Sequence, residues 1–459
     1  MKVILRNIQR ILFKIIIFLK LHTFLAFLYS MFMEELTDNC NLTRPSKRAG
    51  NDKLTILIIS PDAFRTDIDC IVRTNAFRVL RISEPWQTRL SSQFSYCSGN
   101  NKYWQGNNHE QPNFKQKEER KDLRDFLKVF LEKIYERIVV DCVISPHHRY
   151  IFDMEWGSVS TQLGVPHILI TRDSQFASSP YILNRIKDQF RNALPKFGGE
   201  HVIVQSVLDE EVYINSGYVS PERISSLGCP RMDGFIKKSK EKRIDAKKRR
   251  KKVVFLPFSY KEKGTFDLLD LKSYVKELQL FFLRFAIKFP EIDVVIKPKA
   301  KGLRWWKKEV MIKMIGDDGI ESNKLPNLII RDDIDIHSLF FESDIICGLN
   351  TSALLEAAVI GLPVIIPYFK DLQNPKYDER LFYRDAYDLF DIAKDVNELE
   401  SIIIYRLNNP TIDETIMEGR KALFEEYVSS MKGDATERYV AMIKRVIVEK
   451  LSGQPVQRQ

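Results

Sequence analysis

Two adjacent hydroxyl side chains, with a carboxylate one helical turn further on, lie between two apolar runs in residues 344–368. The apolar runs have the length of buried strands, and the segment between them has the pattern of a helix. Asn350 marks a tight turn before the helix. Thr351 and Ser352 occupy its first turn, and Glu356 lies about one turn deeper on the same face. The segment therefore predicts a complete βαβ unit.

The start of this helix has the chemistry of a phosphate site. A βαβ unit places a helix N-terminus at the carboxyl edge of a parallel sheet, where unpaired N–H groups and the helix dipole attract anions. The hydroxyls of Thr351 and Ser352 add donors for a phosphate on which charge develops during its departure. The alternatives are an ordinary helix cap and a solvent-facing Glu356. We expect Asn350, Thr351, Ser352 and Glu356 to bind a phosphorylated donor.

Residues at the ends of other predicted strands add candidates for the same donor. Lys297 follows a buried strand and could neutralise a leaving phosphate; a solvated strand end is the alternative. Arg231 follows Pro230, and its guanidinium matches phosphate oxygens; the alternative is a salt bridge with Asp233. Ser259, close to the end of another predicted strand, completes the predicted donor-binding set.

Candidate catalytic bases follow predicted strands in the first half of the chain. Three predicted strands end just before Asp173, before His147 and His148, and before Asp62. An aspartate must be ionised and within hydrogen-bond reach of an acceptor hydroxyl, whereas histidine already has a suitable pKa. We rank Asp173 first, either as the base or as a nucleophile in a reaction that retains configuration.

The paired acids of residues 331–335 are a weaker signal. Acidic side chains that follow a strand usually form a solvated turn, and we do not assign them to a metal. The six cysteines are scattered singly, without a C-x-x-C pair or metal-ligand spacing. That distribution favours a reducing compartment and no structural zinc. We therefore expect no metal and no cofactor.

The elements that must position these residues alternate between strand and helix in two series. Such alternation predicts parallel, doubly wound sheets. We expect residues 36–53 to form a tether and residues 83–115 to form an irregular loop. The predicted strands are residues 55–60, 139–145, 167–171, 201–205, 223–227, 253–258, 293–297, 327–331, 345–349 and 363–368. The predicted helices are residues 116–137, 153–163, 180–193, 208–216, 266–289, 305–315, 336–342, 396–409, 413–429 and 434–451.

Three short motifs resemble known transferases. Asn350-Thr351-Ser352, with Glu356 and Gly361-Leu362-Pro363, resembles the donor-binding segment of GT-B glycosyltransferases. Gly228-x-Pro230-Arg231-x-Asp233 resembles an element of the CDP-glycerol glycerophosphotransferase-like and bacterial surface-carbohydrate transferases. Residues 433–438 resemble a helix start of that group, with the first two residues exchanged and one position lost. Together the three motifs, in this order, are moderately specific.

The resemblance covers residues 140–450 and implies the GT-B fold. In that α/β fold, two Rossmann-like domains, each a doubly wound parallel sheet, face each other across a cleft. The resemblance further implies catalysis without a metal, a base supplied by the first domain, and hydrogen bonds from a nucleotide ribose to Glu356. The chain departs from the group at Arg172-Asp173, where a Lys-Glu pair is common, and at Lys299, where His is common.

The expected domains are an N-terminal acceptor domain at residues 54–236 and a C-terminal donor domain at residues 253–451. A basic linker, residues 237–252, joins them and carries eleven Lys and Arg against two acids. Residues 1–36 are expected to form a membrane-associating helix. Within residues 1–33 there are five Lys and Arg and no acid, and four of these bases recur every fourth residue. A basic stripe on an apolar helix predicts an interfacial anchor; a true span and a helix packed on the body are the alternatives.

The formal net charge of +10 is concentrated in those two basic segments. No RNA-binding or helix-turn-helix signature accompanies it, so we expect an anionic membrane surface and no nucleic acid as partner. These features predict a membrane-associated glycosyltransferase on the cytoplasmic side. It would move a sugar from a nucleotide donor to a lipid-linked or surface-polysaccharide acceptor. The alternatives are a CDP-glycerol-type polyol-phosphate transferase, a UDP-sugar 2-epimerase and a membrane-tethered scaffold without activity.

Overall fold

The structure of the chain is a computed structural model with two compact units. It describes residues 15–17, 19, 21–37, 42–43, 53–60, 65–94, 114–146, 150–171, 179–192, 196–241, 249–257, 271–299 and 325–453. Unit 1 comprises Met1–Ser174, Arg185–Gly234 and Val428–Gln459, and unit 2 comprises Gln175–Asn184 and Phe235–Tyr427. Within the described ranges, no helix is both long enough and apolar enough to cross a membrane.

Unit 1 is built on an eight-stranded sheet with the order β2-β1-β4-β3-β5-β6-β7-β8. Six strands run parallel, in the order β4, β3, β5, β6, β7 and β8. Strands β1 and β2 add an antiparallel edge. The strands are β1 Glu34–Leu36, β2 Leu42–Thr43, β3 Thr55–Ile58, β4 Arg78–Arg81, β5 Cys142–Ser145, β6 His167–Ile170, β7 His201–Val204 and β8 Ile224–Ser226. The helices in this part of the chain are α1 His22–Phe32, α2 Arg65–Arg73, α3 Glu84–Ser91, α4 Phe114–Tyr135, α5 Ile151–Gln162, α6 Pro180–Asn192, α7 Val207–Asn215 and α8 Asp233–Ser239.

Unit 2 is built on a six-stranded, wholly parallel sheet with the order β11-β10-β9-β12-β13-β14. Strands β12 and β13 are buried along their whole length, as expected for a parallel sheet covered on both faces. The strands are β9 Lys252–Leu256, β10 Asp293–Ile296, β11 Leu328–Ile330, β12 Ile345–Gly348, β13 Val364–Pro367 and β14 Asp391–Ala393. The helices are α9 Lys272–Lys288, α10 Ile336–Phe341, α11 Ala353–Val359, α12 Pro375–Asp378, α13 Val396–Asn408 and α14 Glu414–Tyr427, and a last helix, α15 Ala435–Ser452, belongs to unit 1.

These two sheets confirm the predicted pair of Rossmann-like doubly wound domains. The end of the chain differs from the predicted domain bounds, since residues from 428 onward belong to unit 1. Helix α15 packs Tyr439, Ile443 and Ile447 into the core that covers one face of the first sheet. Apolar contact with that sheet, rather than position along the chain, therefore decides where the last helix belongs.

Two other expectations need correction. Part of the predicted loop at residues 83–115 is helix α3, because Pro85 lies in its first turn and Leu90 is fully buried in the core. The predicted basic linker is partly helix α8 and partly strand β9. Arg249 pairs with Asp344 at 2.7 Å and Arg250 pairs with Asp293 at 2.8 Å. These bases therefore fix the start of β9 within unit 2. The predicted helix at residues 305–315 lies outside the described residues.

Candidate functional site

The candidate donor site lies at the carboxyl edge of the unit 2 sheet. Strands β10 and β12 run parallel, so Lys297, just after β10, and Asn350, two residues after β12, lie at the same edge. In open parallel sheets, ligands bind outside the carboxyl ends of the strands. The predicted βαβ unit is confirmed as β12, α11 and β13.

Asn350 forms the turn that leads into α11. Its φ of 52° lies in the left-handed region, which asparagine tolerates better than most residues. Its side-chain Nδ2 donates to the Arg380 carbonyl at 3.1 Å, and its Oδ1 accepts from the Phe382 N–H at 3.0 Å. Both ends of the amide are therefore used to tie residues 380–382 to the start of the helix. That role had no signal in the sequence, because it depends on a contact some 30 residues away.

The two hydroxyls at the start of α11 do not form a conventional cap. Ser352 is the N-cap residue, and its side chain makes no capping hydrogen bond. Its Oγ instead donates to Glu356 Oε1 at 3.5 Å. Thr351 Oγ1 accepts from the Ala353 N–H at 3.4 Å, which is a long contact. Both residues are half-buried. The ordinary-cap alternative is therefore not the arrangement at Ser352.

Glu356 is buried, and the alternative of a solvent-facing glutamate is wrong. Its residue is only 5% exposed. Oε2 is hydrogen-bonded to His337 Nε2 at 3.0 Å, and Oε1 accepts from Ser352. An ionised carboxylate has about four acceptor positions on its two oxygens. Two of them are used by these neighbours, so the carboxylate keeps the capacity to accept hydrogen bonds from a ligand.

His337 is a site residue that the sequence did not reveal. It lies on α10, 19 residues before its partner Glu356. The ring stacks on Phe235, with ring centres 4.4 Å apart and an interplanar angle of 27°. Stacking on one face and a hydrogen bond at Nε2 together fix the ring orientation. Only the packing of α10 beside α11 brings this histidine to the carboxylate, so a pattern along the chain could not have found it.

Lys297 brings a cation close to the same group of residues. It is half-buried; burial lowers the pKa of its ammonium, while Asp332, Asp335 and Asp333 act in the opposite direction. Asp335 in turn interacts electrostatically with both Lys297 and His337. A partly desolvated ammonium interacts with an anion more strongly than one in water, because the local dielectric is lower.

The acidic run at residues 331–335 forms a turn, as expected. Asp335 caps helix α10 by accepting from the Ser338 N–H at 2.8 Å. Burial raises the pKa of Asp335, but the hydrogen bonds from Ser338 outweigh it and the pKa is lowered overall. Asp333 pairs with Arg331 at 2.9 and 3.0 Å. These contacts give the two carboxylates roles in the local fold.

Arg231 lies in unit 1, where its guanidinium pairs with Asp67. Nη1 is 3.2 Å from Asp67 Oδ2 and 3.4 Å from Oδ1, and the Arg231 N–H also donates to Oδ1. Asp67 is only 2% exposed. The salt bridge that the sequence offered as an alternative therefore forms, but with Asp67 instead of Asp233. Phosphate binding by Arg231 stays a prediction.

Asp233 binds the start of the last helix instead. Its Oδ1 accepts from the Ala435 N–H at 3.0 Å and its Oδ2 from the Thr436 N–H at 2.7 Å. These are two of the N–H groups that a helix leaves unpaired at its N-terminus. The Gly228–Asp233 motif and the motif at residues 433–438, about 200 residues apart, therefore join directly within unit 1.

Gly228 explains why the first motif begins with glycine. Its φ is +85°, and a Cβ added there would lie 2.8 Å from Ser429 Oγ and 3.1 Å from the Ala435 Cβ. The Gly228 carbonyl accepts from the Tyr439 hydroxyl at 3.0 Å, and the next N–H, of Cys229, donates to Ser429 Oγ at 2.9 Å. Only glycine combines this backbone conformation with so close an approach. The motif thus holds the start of helix α15 in place within unit 1.

Four predicted site residues lie outside the described residues: Asp62, His148, Asp173 and Ser259. The same holds for His147. Their roles as base or donor ligand stay predictions. Of the remaining candidates, Lys297, Asn350, Thr351, Ser352 and Glu356 lie in unit 2, and Arg231 lies in unit 1.

Among the known proteins compared with this chain, solved structures match it. No protein-family model matches the sequence, and no curated protein does. A UDP-GlcNAc 2-epimerase from Neisseria meningitidis, bound to UDP-GlcNAc, is 12% identical, with a TM-score of 0.47 over 85% of this chain and 100% of that one. The glycosyltransferase of kitacinnamycin is 13% identical, with a TM-score of 0.44 over 87% of this chain and 100% of that one. The wall teichoic acid polymerase TagF is 13% identical, with a TM-score of 0.41 over 70% of this chain and 75% of that one.

At such low identities and TM-scores, the similarity assigns neither an activity nor a substrate to this chain.

Proposed function

We propose that this chain is a GT-B glycosyltransferase that binds a nucleotide-activated sugar at the carboxyl edge of the unit 2 sheet. The observation that carries the proposal is the buried carboxylate of Glu356, held by His337 and Ser352 next to the strand ends. Burying a carboxylate is costly unless hydrogen bonds compensate for the loss of water. The Glu356 carboxylate has two hydrogen-bonding neighbours and is largely shielded from water. It can therefore accept further hydrogen bonds from a bound ligand.

The ribose of the donor suits this carboxylate, since two adjacent hydroxyls can both donate to its two oxygens. The diphosphate would then extend towards the hydroxyls of Thr351 and Ser352. Lys297 would offset the charge that develops when the nucleotide leaves. In the reaction, the acceptor oxygen bonds to the anomeric carbon, the bond from that carbon to the phosphate oxygen breaks, and the acceptor proton passes to a base. No metal and no cofactor are needed in this scheme.

For the acceptor, we propose a lipid-linked or surface-polysaccharide glycan at the cytoplasmic side of the membrane. The support is the basic, acid-free composition of residues 1–33, which favours attraction to anionic lipid. Asp173, His148 and Asp62 remain the candidates for the base, since each follows a strand predicted in the acceptor domain.

A binding screen tests the donor site. Thermal unfolding of the whole chain is measured with UDP-, GDP-, CDP- and CMP-linked compounds, and we expect one base to give a concentration-dependent rise in the melting temperature. A response to CDP-glycerol, rather than to nucleotide sugars, would identify a polyol-phosphate transferase. Conversion of a UDP-sugar without an acceptor would identify an epimerase. No response to any compound would overturn the donor site.

The Glu356→Gln variant tests the residue on which the proposal depends. Its amide has one acceptor oxygen instead of two and no charge, so we expect nucleotide affinity to fall about tenfold. Isothermal titration measures the change. Glu414→Gln is the matched control, because Glu414 is an exposed glutamate in the first turn of another unit 2 helix. Equal affinity of the Glu356→Gln variant and the unmodified chain would remove Glu356 from the site.

A further inference from the structure

Helix α1 exposes a continuous apolar face. Phe24, Phe27, Met31 and Phe32 are between 42% and 52% exposed, and Leu21, just before the helix, is 45% exposed. Spacings of three and four residues place most of these side chains along one side of the helix. Exposed apolar patches of this kind usually mark a surface that binds a partner or a membrane.

The opposite face of α1 is firmly packed in unit 1. Leu25, Ala26 and Tyr29 are at most 1% exposed and belong to the same apolar core as helices α4 and α5. The Tyr29 hydroxyl donates to the Trp86 carbonyl at 2.7 Å. Phe32 stacks on the Trp86 ring at 4.3 Å. Helix α1 therefore packs on the body of unit 1, whereas residues 1–14 lie outside the described residues. The exposed face is held in a fixed orientation on unit 1.

The basic composition of the N-terminal segment favours an anionic lipid surface as the occupant of this face. Residues 1–33 contain five Lys and Arg and no Asp or Glu. Arg137, at the end of α4, adds a guanidinium 5.5 Å from the centre of the Phe27 ring. The other basic segment is different, since Arg249 and Lys251 pair with Asp344 inside unit 2. Of the two basic segments, the N-terminal one therefore combines a basic, acid-free composition with an exposed apolar face.

From this combination we infer that the exposed face of α1 is a membrane-docking surface for anionic bilayers. The apolar side chains enter the boundary between headgroups and acyl chains, and Arg137 contacts the headgroups. Because the other face of α1 is part of the core, unit 1 is held directly against the bilayer rather than on a flexible tether. This inference does not depend on the donor site.

Vesicle sedimentation of the full chain tests the docking surface. We expect it to pellet with vesicles of phosphatidylcholine and phosphatidylglycerol, less with phosphatidylcholine alone, and less at high salt. The double variant Phe24→Gln with Met31→Gln keeps good helix formers on α1 and removes apolar area. We expect its binding to anionic vesicles to weaken at least about tenfold.

The matched control is Val448→Gln with Leu451→Gln on helix α15 of the same unit. These side chains are 59% and 73% exposed, and their replacement should leave vesicle binding unchanged. Circular dichroism and nucleotide binding of both variants should equal those of the unmodified chain, which separates this inference from the donor site. Undiminished pelleting of the α1 variant would overturn the inference. So would a chain that ignores vesicles but forms a dimer that the α1 variant dissociates.

Discussion

The Gly228–Asp233 motif in unit 1 and the Asn350–Glu356 motif in unit 2 differ in what their polar groups contact. In unit 1, Arg231 pairs with the buried Asp67, and both oxygens of Asp233 accept from the start of helix α15. In unit 2, the side-chain partners of the buried Glu356 among the described residues are His337 and Ser352, and Ser352 does not cap its own helix. In the first motif, the charged side chains are paired with other groups of unit 1. In the second, the Glu356 carboxylate can still accept hydrogen bonds.

The difference shows that a motif shared with enzymes need not place all of its residues in a binding site. A charged group that is fully engaged by the fold contributes to stability. A buried group with spare hydrogen-bonding capacity is a better candidate for binding, because a ligand can use that capacity. Substitutions in the two motifs should therefore affect different measurements: unfolding in unit 1, and nucleotide affinity in unit 2.

Among the substitutions in the two motifs, the largest effect is expected for Arg231→Met. It would leave Asp67 buried without its cation, at a cost of about 3 kcal/mol in the free energy of unfolding. Urea denaturation of unit 1, followed by circular dichroism, measures the change. The double variant Arg231→Met with Asp67→Asn should recover part of the loss, because no charge is then left unpaired. Unchanged stability with lost nucleotide binding would instead make Arg231 a donor ligand and break the comparison.

A smaller loss is expected for Asp233→Ala, which removes the acceptor of two N–H groups at the start of α15. We expect about 2 kcal/mol of destabilisation. Limited proteolysis should then cleave more readily near residue 430. Asp434→Ala is a close control, since Asp434 stands at the N-cap of the same helix and its side chain makes no capping hydrogen bond. Equal losses in the two variants would mean that Asp233 does not anchor the helix.

Acid should destabilise unit 1 through His167. Burial lowers the pKa of this histidine to about 3, and its Nε2 is hydrogen-bonded to Ser145 Oγ at 2.7 Å. The unfolded chain binds a proton below its ordinary pKa of about 6.5, whereas the folded chain binds one only near 3. Stability is therefore complete above about pH 6.5. It falls by about 1.4 kcal/mol for each pH unit between these two pKa values.

Urea titrations at several pH values measure that slope. His167→Gln should remove the contribution of one proton from this slope, about 1.4 kcal/mol per pH unit. The variant itself should be less stable at neutral pH. An unchanged slope would show that His167 is not the group responsible.

The smallest effect is expected for His337→Ala in unit 2. Losing the partner of Glu356 Oε2 should weaken nucleotide binding about fivefold, which corresponds to about 1 kcal/mol. His337→Gln, which can still donate a hydrogen bond, should bind more tightly than His337→Ala. If both variants bound nucleotide like the unmodified chain, the histidine would have no part in orienting the carboxylate.

The sequence was sufficient for the elements whose pattern is local. The alternation of strands and helices predicted most strands of both sheets. The ends of β12 and β13 were predicted within one residue, and the start of α11 within two. Strands β1, β2, β4 and β14 and helices α2, α3, α8 and α12 were missed. Most of them are short and contain few apolar residues, which gives a weak periodic signal. Of the candidate site, the sequence identified Glu356 and Lys297 but not His337.

The sequence by itself thus determined the fold class, the βαβ unit and the residue types at its edge, since these follow from periodicity and turn chemistry along the chain. The tertiary structure decided which charges are paired. In it, Arg231 pairs with Asp67, Asp233 binds the start of the last helix, and His337 is hydrogen-bonded to Glu356. One face of α1 is packed into a core. Each of these contacts joins residues far apart in the chain, and the choice among possible partners is made only when packing brings side chains within a few ångströms of each other.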